Sequence, residues 1–164
     1  MNVSTDTCIL INLLRAHRLD LLGAVPPYVF YVPTEALGEI PYPDQQAELR
    51  DALDRGWIQE ARLEAIAELQ IFARASEQLG SGESACLALA HARNWILGTD
   101  DSKGAKWKKV ISASGIQVLN TPGTLLLAIR QGVLTIEQAD EIKTLLEANR
   151  FRMGFASFRD LVNE

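Results

Sequence analysis

Five acidic residues stand where folding can gather them: Asp6, Glu39, Glu83 and the adjacent pair Asp100-Asp101. Asp6 and Asp100 each follow a short apolar run of strand character. Glu83 follows the glycine-rich Gly80-Ser-Gly82, and Glu39 comes shortly after the apolar run Val29-Phe-Tyr-Val32. In parallel α/β sheets ligands bind at the carboxyl ends of strands, so acids distant in sequence meet there if the segments form such a sheet. Carboxylates a few ångströms apart repel and raise one another's pKa, and a divalent cation is the natural compensation. Magnesium and manganese take carboxylate and water oxygens and need neither histidine nor cysteine.

Each acid taken singly has a structural explanation. Asp6 can cap a helix that starts at Thr7. Glu83, behind Ser81 in a first turn, is favoured by the helix macrodipole. Asp100 and Asp101, before Ser102 and Gly104, are turn formers, and Glu39 alone is a solvated helix residue. The functional reading rests on their joint placement at element ends.

The elements that must position them alternate. The pattern predicts a strand over Asn2 to Thr5, then a helix from Thr7 with Ile9, Leu10, Leu13 and Leu14 at helical spacing. A second strand runs from Val29 to Val32 and is closed by Pro33. Thr34 is placed to cap a brief helix carrying Glu35 and Glu39, which Pro41 and Pro43 stop. Asp44 opens a helix that ends at Gly56, a residue suited to a left-handed cap, and Trp57 to Ala61 forms the third strand. A long helix is expected from Leu63 to Leu79, with Ile66, Leu69, Phe72 and Ala73 on its packed face. Glu83 to Arg93 is helical, Trp95 to Thr99 is a buried strand, and Ile116 to Leu119 is another. Pro122 starts a helix that Gly132 ends, and Thr135 with Gln138 forms a capping box opening a helix to about Asn149. This alternation predicts an α/β fold with a mostly parallel central sheet and a C-terminal helical hairpin.

Composition bounds the rest. At 164 residues, with 48% hydrophobic content, eleven glycines and six prolines, the expectation is one folded domain over residues 1–164, with a helical extension over about 133–164. Cys8 and Cys86 lie far apart in apolar runs and read as buried thiols of a reducing, cytoplasmic setting. The run Cys8 to Leu14 is too short to span a bilayer and has no basic segment before it. A net charge of -5, from 16 basic and 21 acidic residues, excludes bulk electrostatic gripping of nucleic acid, so any such role belongs to a local site.

The segment Asp6-Thr7-Cys-Ile-Leu-Ile-Asn12 resembles the opening motif of PIN domains, in which an aspartate leaves the first strand into an apolar helix. Val32-Pro33 with Glu39 resembles the second acidic position of that family, with Glu35 as its competitor. Gly82-Glu83-Ser-Ala-Cys-Leu-Ala-Leu-Ala90 resembles the helix carrying the third. Ile96-Leu-Gly-Thr-Asp100-Asp101 is similar to the strand delivering the fourth, with Asp101 open as ligand or neighbour. Gly115 to Thr121, Gly132-Val-Leu-Thr135 and Asn149-Arg-Phe-Arg-Met153 follow in the order of a PIN-like subgroup related to the VapC toxins.

The resemblance implies a three-layer α/β/α sandwich and metal-dependent hydrolysis of RNA phosphodiester bonds. Asp6, Glu39, Glu83 and Asp100 would be the catalytic acids, with Mg2+ or Mn2+ on Asp6, Glu83, Asp100 and Asp101. Carboxylate-held ions suit that chemistry, because they lower the pKa of an attacking water and stabilise the leaving oxygen. It also implies RNA as substrate, a possible antitoxin partner and a homodimer. Lys103, Lys106, Lys108 and Lys109 around Trp107 form a basic patch able to meet phosphate and stack a base, or else a solvated helix face. Thr99 and Thr121 can place hydroxyls near the metal or satisfy backbone groups. His17 and His91 lack a nearby nucleophile and read as packing residues.

Two competing classes remain open at this point. One is a catalytically inactive PIN-like module that binds RNA or protein. The other is a phosphoryl-transfer enzyme, disfavoured because Cys8 stands where a dehalogenase-like phosphatase carries a second aspartate. A receiver domain gives the Glu83 helix and the C-terminal hairpin no role.

Overall fold

The computed structural model describes residues 1–101 and 115–162. Strands β1 (Asn2–Thr5), β2 (Val29–Pro33), β3 (Ile58–Ala61), β4 (Ile96–Gly98) and β5 (Val118–Leu119) form one sheet in the order β3-β2-β1-β4-β5. Every neighbouring pair is parallel, with Val3 opposite Phe30 and Ile96, and Phe30 opposite Ile58. Strand order reverses at β1, whose neighbours are β2 and β4, and such a switch point leaves a crevice outside the carboxyl ends of the strands.

Side chains alternate across this sheet and divide the core. Val3, Phe30, Val32 and Ile58 face α1 (Thr7–Arg15), α2 (Asp20–Gly23), α4 (Pro43–Asp54) and α7 (Thr121–Arg130), in a cluster with Leu10, Leu13, Leu21, Ala52, Leu125 and Ala128. Leu97 faces the other way, onto Cys86, Leu87 and Ala90 of α6 (Ser81–Arg93). Helices α3 (Thr34–Leu37) and α5 (Ile66–Ala75) pack on α6, so it is buried between sheet and helices. That explains its run of buried residues from Ser84 to Ala90, many of them alanine. The expected α/β/α sandwich is present, and the sheet is parallel throughout.

Helix α8 (Ile136–Ala148) pairs with α7 as the expected hairpin, opened by the Thr135–Gln138 capping box. A short α9 (Phe158–Val162), like α2, lacks a local sequence signal. It is docked by Asp140, which accepts from the Ser157 hydroxyl at 2.6 Å and the Phe158 amide at 2.9 Å, with Phe158 fully buried.

Several local expectations are corrected. Pro43 begins α4 at a position where its missing N–H is harmless, rather than only stopping the helix before it. Thr34 is the first residue of α3, not its cap; its hydroxyl donates to Glu60 at 2.8 Å. α3 ends at Leu37, so Glu39 stands beyond it in the connection to α4. The long helix is reduced to α5, and its packed face is shifted: Glu68 is 3% exposed and Phe72 half-buried, whereas Ile66 and Leu69 are 75% and 47% exposed and Ala73 is exposed too. Glu68 is drawn inward by Arg93 of α6, whose Nε lies 2.6 Å from its carboxylate.

Candidate metal centre

Asp6 leaves β1 at the switch point. Its amide donates to the Gly98 carbonyl at 2.8 Å, which holds the ends of β1 and β4 level. A side chain on Gly98 would meet Val3 Cγ1 at 3.1 Å and the Thr5 Cα at 3.2 Å, so a glycine allows this close approach. Extended backbone at Asp6 makes it the N-cap of α1, with Oδ1 accepting from the Thr7 amide at 2.7 Å. Oδ2 accepts from the Cys8 thiol at 3.3 Å and the Thr99 hydroxyl at 3.4 Å. The residue is 3% exposed. Burial pushes its carboxyl up to about 6; the bonds from Cys8 and Thr7 oppose this, and the fields of Glu83 and Glu39 add to it. Acids from three separate segments therefore act on one another here.

Glu39 is held by two helix starts. Its Oε2 accepts from the Thr7 hydroxyl at 3.0 Å, and its Oε1 accepts from the Gly82 amide at 2.8 Å. A Cβ at Gly82 would lie 2.6 Å from that carboxylate, so the glycine makes room for it. Between the two candidates for the second acid, Glu39 is thus the one beside Asp6. Glu35 keeps a buried Oε2 without a hydrogen-bond partner among the described residues. Glu83, in the first turn of α6, accepts from the Gly80 amide at 2.9 Å in a capping box. Capping and proximity to Asp6 hold together for this residue.

The Asp100-Asp101 pair splits. Asp100 turns toward α1 and α7: Oδ1 accepts from the Thr121 amide at 2.8 Å, and Oδ2 accepts from the Thr121 hydroxyl at 2.6 Å and Asn12 Nδ2 at 3.0 Å. Burial raises its pKa, opposed by the bonds from Thr121 and Asn12 and reinforced by Asp101. Asp101 is exposed, and its amide donates to the Thr99 hydroxyl at 3.2 Å. Ligand atoms of Asp6, Cys8 and Asp101 all lie within 4.8 Å of one another. Thr99 is fully buried and its hydroxyl lies between Asp6 and Asp101, while Thr121 grips Asp100. Lys103, Lys106, Trp107, Lys108 and Lys109 lie outside the described residues.

Cys8 is the site residue that its apolar sequence context concealed. Its thiol donates to Asp6, accepts from the Asp100 amide at 3.2 Å and stands 3.6 Å from the Thr99 hydroxyl. Burial, then the Asp6 charge, drives its pKa far above the usual thiol range, so it acts as a neutral donor. The signal that it belongs here is its spacing two residues after a capping aspartate, where the first helical turn folds back on the cap. Cys86 is fully buried in the α6 face of the core, as expected for a packing residue. His17 is a surface residue bonded to Glu48 at 3.1 Å, and His91 is exposed.

The donor set fits a hard divalent cation. Its carboxylates come from the residue after β1, the segment after α3, the start of α6 and the end of β4, with Asp6 and Asp101 close enough to share one ion. Added positive charge would favour the charged form of the buried Asp6 alongside the bonds from Cys8 and Thr7.

A parallel sheet with its reversal at β1 and acids at the carboxyl ends of β1 and β4 is the arrangement of a PIN-type α/β/α domain. The model of the family DUF3368, described as a PIN domain, matches residues 2–163, and the chain belongs to that family. The fold is similar to that of a chain in the crystal structure of VapBC2 from Rickettsia felis bound to a DNA fragment from their promoter. The likeness has a TM-score of 0.54 at 16% identity and covers 73% of this chain and 98% of that one. No curated protein matches the chain. Among the described residues no helix is long and apolar enough to cross a membrane.

Proposed function

We propose that this chain is a divalent-metal-dependent endoribonuclease that hydrolyses RNA phosphodiester bonds. The observation that carries the reading is the buried Asp6 carboxylate at the switch point, with Glu39, Glu83 and Asp101 close around it. Asp6, Glu83 and Asp101 would hold magnesium or manganese, with Glu39 as the fourth acid. A metal bound there supplies Lewis-acid stabilisation of phosphate oxygens and lowers the pKa of an attacking water.

The chain's own side chains set up that chemistry. Thr7, Thr99 and Cys8 hold the Glu39 and Asp6 oxygens in place through their hydroxyl and thiol donors. Asp100 is a positioning residue on this reading. It fastens the end of β4 to Thr121 and Asn12 while its neighbour Asp101 faces the other acids. Water reaches the exposed Glu39 and Asp101, and a proton released from an attacking water has carboxylates within reach. The likeness of the fold to VapBC2, together with the order of motifs similar to the VapC toxins, supports a toxin role in the cytoplasm with an antitoxin partner covering the acid site.

A second reading has its own support. Glu83 and Asp100 both have structural employment, in a capping box and in the Thr121 clasp, as they would in a module that binds RNA without cutting it. Cleavage of mixed RNA in magnesium, manganese and chelator separates the two. The nuclease reading expects chelator to abolish cleavage and Asp6→Asn to lower it about 100-fold or more, the scale of losing a metal's stabilisation of charge. Cleavage unchanged by chelator and by the substitution would refute it. RNA binding without cleavage would select the binding module.

A further inference from the structure

Next to the acids lies a pocket of about 320 Å³, lined by Cys8, Ile11, Arg15, Asp101, Arg150 and Phe151 among others. Arg15 ends α1, and Arg150 and Phe151 follow α8. Neither arginine makes an ion pair with any described residue, which is true also of Arg50, Arg74, Arg130 and Arg152, but only Arg15 and Arg150 among the arginines line the pocket. In a chain of net charge -5, two uncommitted guanidinium groups thus flank the carboxylates from one side.

Arg150 is also strained. Its φ is +69°, in the left-handed region. The helix ends there in a Schellman turn, with the Arg150 amide on the Glu147 carbonyl at 3.1 Å and the Phe151 amide on the Leu146 carbonyl at 3.0 Å. The chain closes α4 and α7 with the same pair of bonds but places Gly56 and Gly132 at the left-handed position, with φ of +72° and +71°. Asparagine and histidine, which occupy it at Asn94 and His17, tolerate that conformation; arginine is not among the residues that favour it. A strained non-glycine residue at a pocket wall points to a task for its side chain.

We propose that this pocket is a nucleotide subsite for single-stranded RNA, in which Arg15 and Arg150 receive backbone phosphate beside the scissile bond and half-buried Phe151 forms the wall against a base. The assignment rests on the nuclease reading and extends it. Arginine is suited to phosphate because its fork of N–H groups matches the oxygens. Aromatic walls are suited to unpaired bases, which every sequence offers. The volume lies at the small end for a ligand pocket, which suits one nucleotide and excludes a duplex.

The test uses the full chain carrying Asp6→Asn, in magnesium, with a fluorescein-labelled mixed-sequence oligoribonucleotide read by anisotropy. Arg15→Ala and Arg150→Gly should each weaken binding about five- to ten-fold and flatten the salt dependence by about 0.7 per lost phosphate contact. Arg150→Gly should melt at or above the parent temperature, since glycine relieves the left-handed strain, so a loss of binding there cannot be a loss of fold. Arg130→Ala, at an exposed arginine outside the pocket, should change binding less than two-fold. Unchanged affinity in both pocket variants, an equal loss in Arg130→Ala, or capture of a poly-glutamate peptide in place of the RNA would overturn the subsite. Cleavage by the Asp6 parent is scored separately. A chain that cuts no RNA yet loses affinity in the pocket variants retires the nuclease reading and keeps the subsite.

Discussion

Burial and four neighbours decide the charge of Asp6: burial, Glu83 and Glu39 oppose the carboxylate, while Cys8 and Thr7 favour it. That balance makes the site responsive to single atoms, and Gly82 offers a clean probe of it. A methyl at Gly82 would meet the Glu39 carboxylate at 2.6 Å, and Glu39, exposed and flexible, can swing away at little expense to the fold. Gly82→Ala should therefore change stability by less than about 1 kcal/mol. RNA cleavage should fall about ten-fold or more, since a small misplacement of a catalytic group carries a large rate penalty. Calorimetry and a cleavage assay on the same preparation check both halves; a fully active variant would place Glu39 outside the site. The acids were legible in sequence at this scale because each sits at an element end. Which of Asp100 and Asp101 faces the others was not, because that depends on Thr121 and Asn12, groups 21 and 88 residues from Asp100.

Among the elements, the strands and several caps, though not the one expected at Thr34, were readable because their causes are local. β1, the Thr135 capping box and the left-handed glycines Gly56 and Gly132 all stand where short-range pattern puts them. α5 was misread because its cause is tertiary. Apolar spacing placed Ile66 and Leu69 inside, yet Glu68 takes the buried position through Arg93 and through the Glu64 and Ala65 amides at 2.7 and 3.1 Å. Arg93 in turn lies 4.9 Å over the Trp95 ring, which stacks on Tyr31. The Arg93 bond, despite burial, holds the Glu68 carboxyl down at about 2. A depressed carboxyl stabilises the fold above its unfolded value of about 4.5, and the contribution is lost as pH falls from there through about 2. Arg93→Ala leaves a buried charge without its partner and should destabilise the fold by about 2 kcal/mol at pH 7. The deficit relative to wild type should shrink between pH 4.5 and 2, as read by thermal melts across pH. A pH-independent deficit would show that Arg93 acts through packing on Trp95 alone.

At the scale of the molecule, a sheet that reverses at β1 brings four chain segments to one crevice and so concentrates negative charge there. The fold tolerates the crowding because Asp6 sits among donors and the exposed Glu39 and Asp101 face water. On the nuclease reading a bound cation would be the remaining compensation, and it would turn a destabilising cluster into a working centre. The most direct check is the binding of Mn2+ itself, followed by electron paramagnetic resonance on the metal-free chain, with Asp6→Asn and Asp101→Asn beside the parent. One convergent centre predicts saturable binding that weakens about ten-fold or more in each variant. Undetectable binding by the parent, or the same affinity in all three proteins, would contradict it.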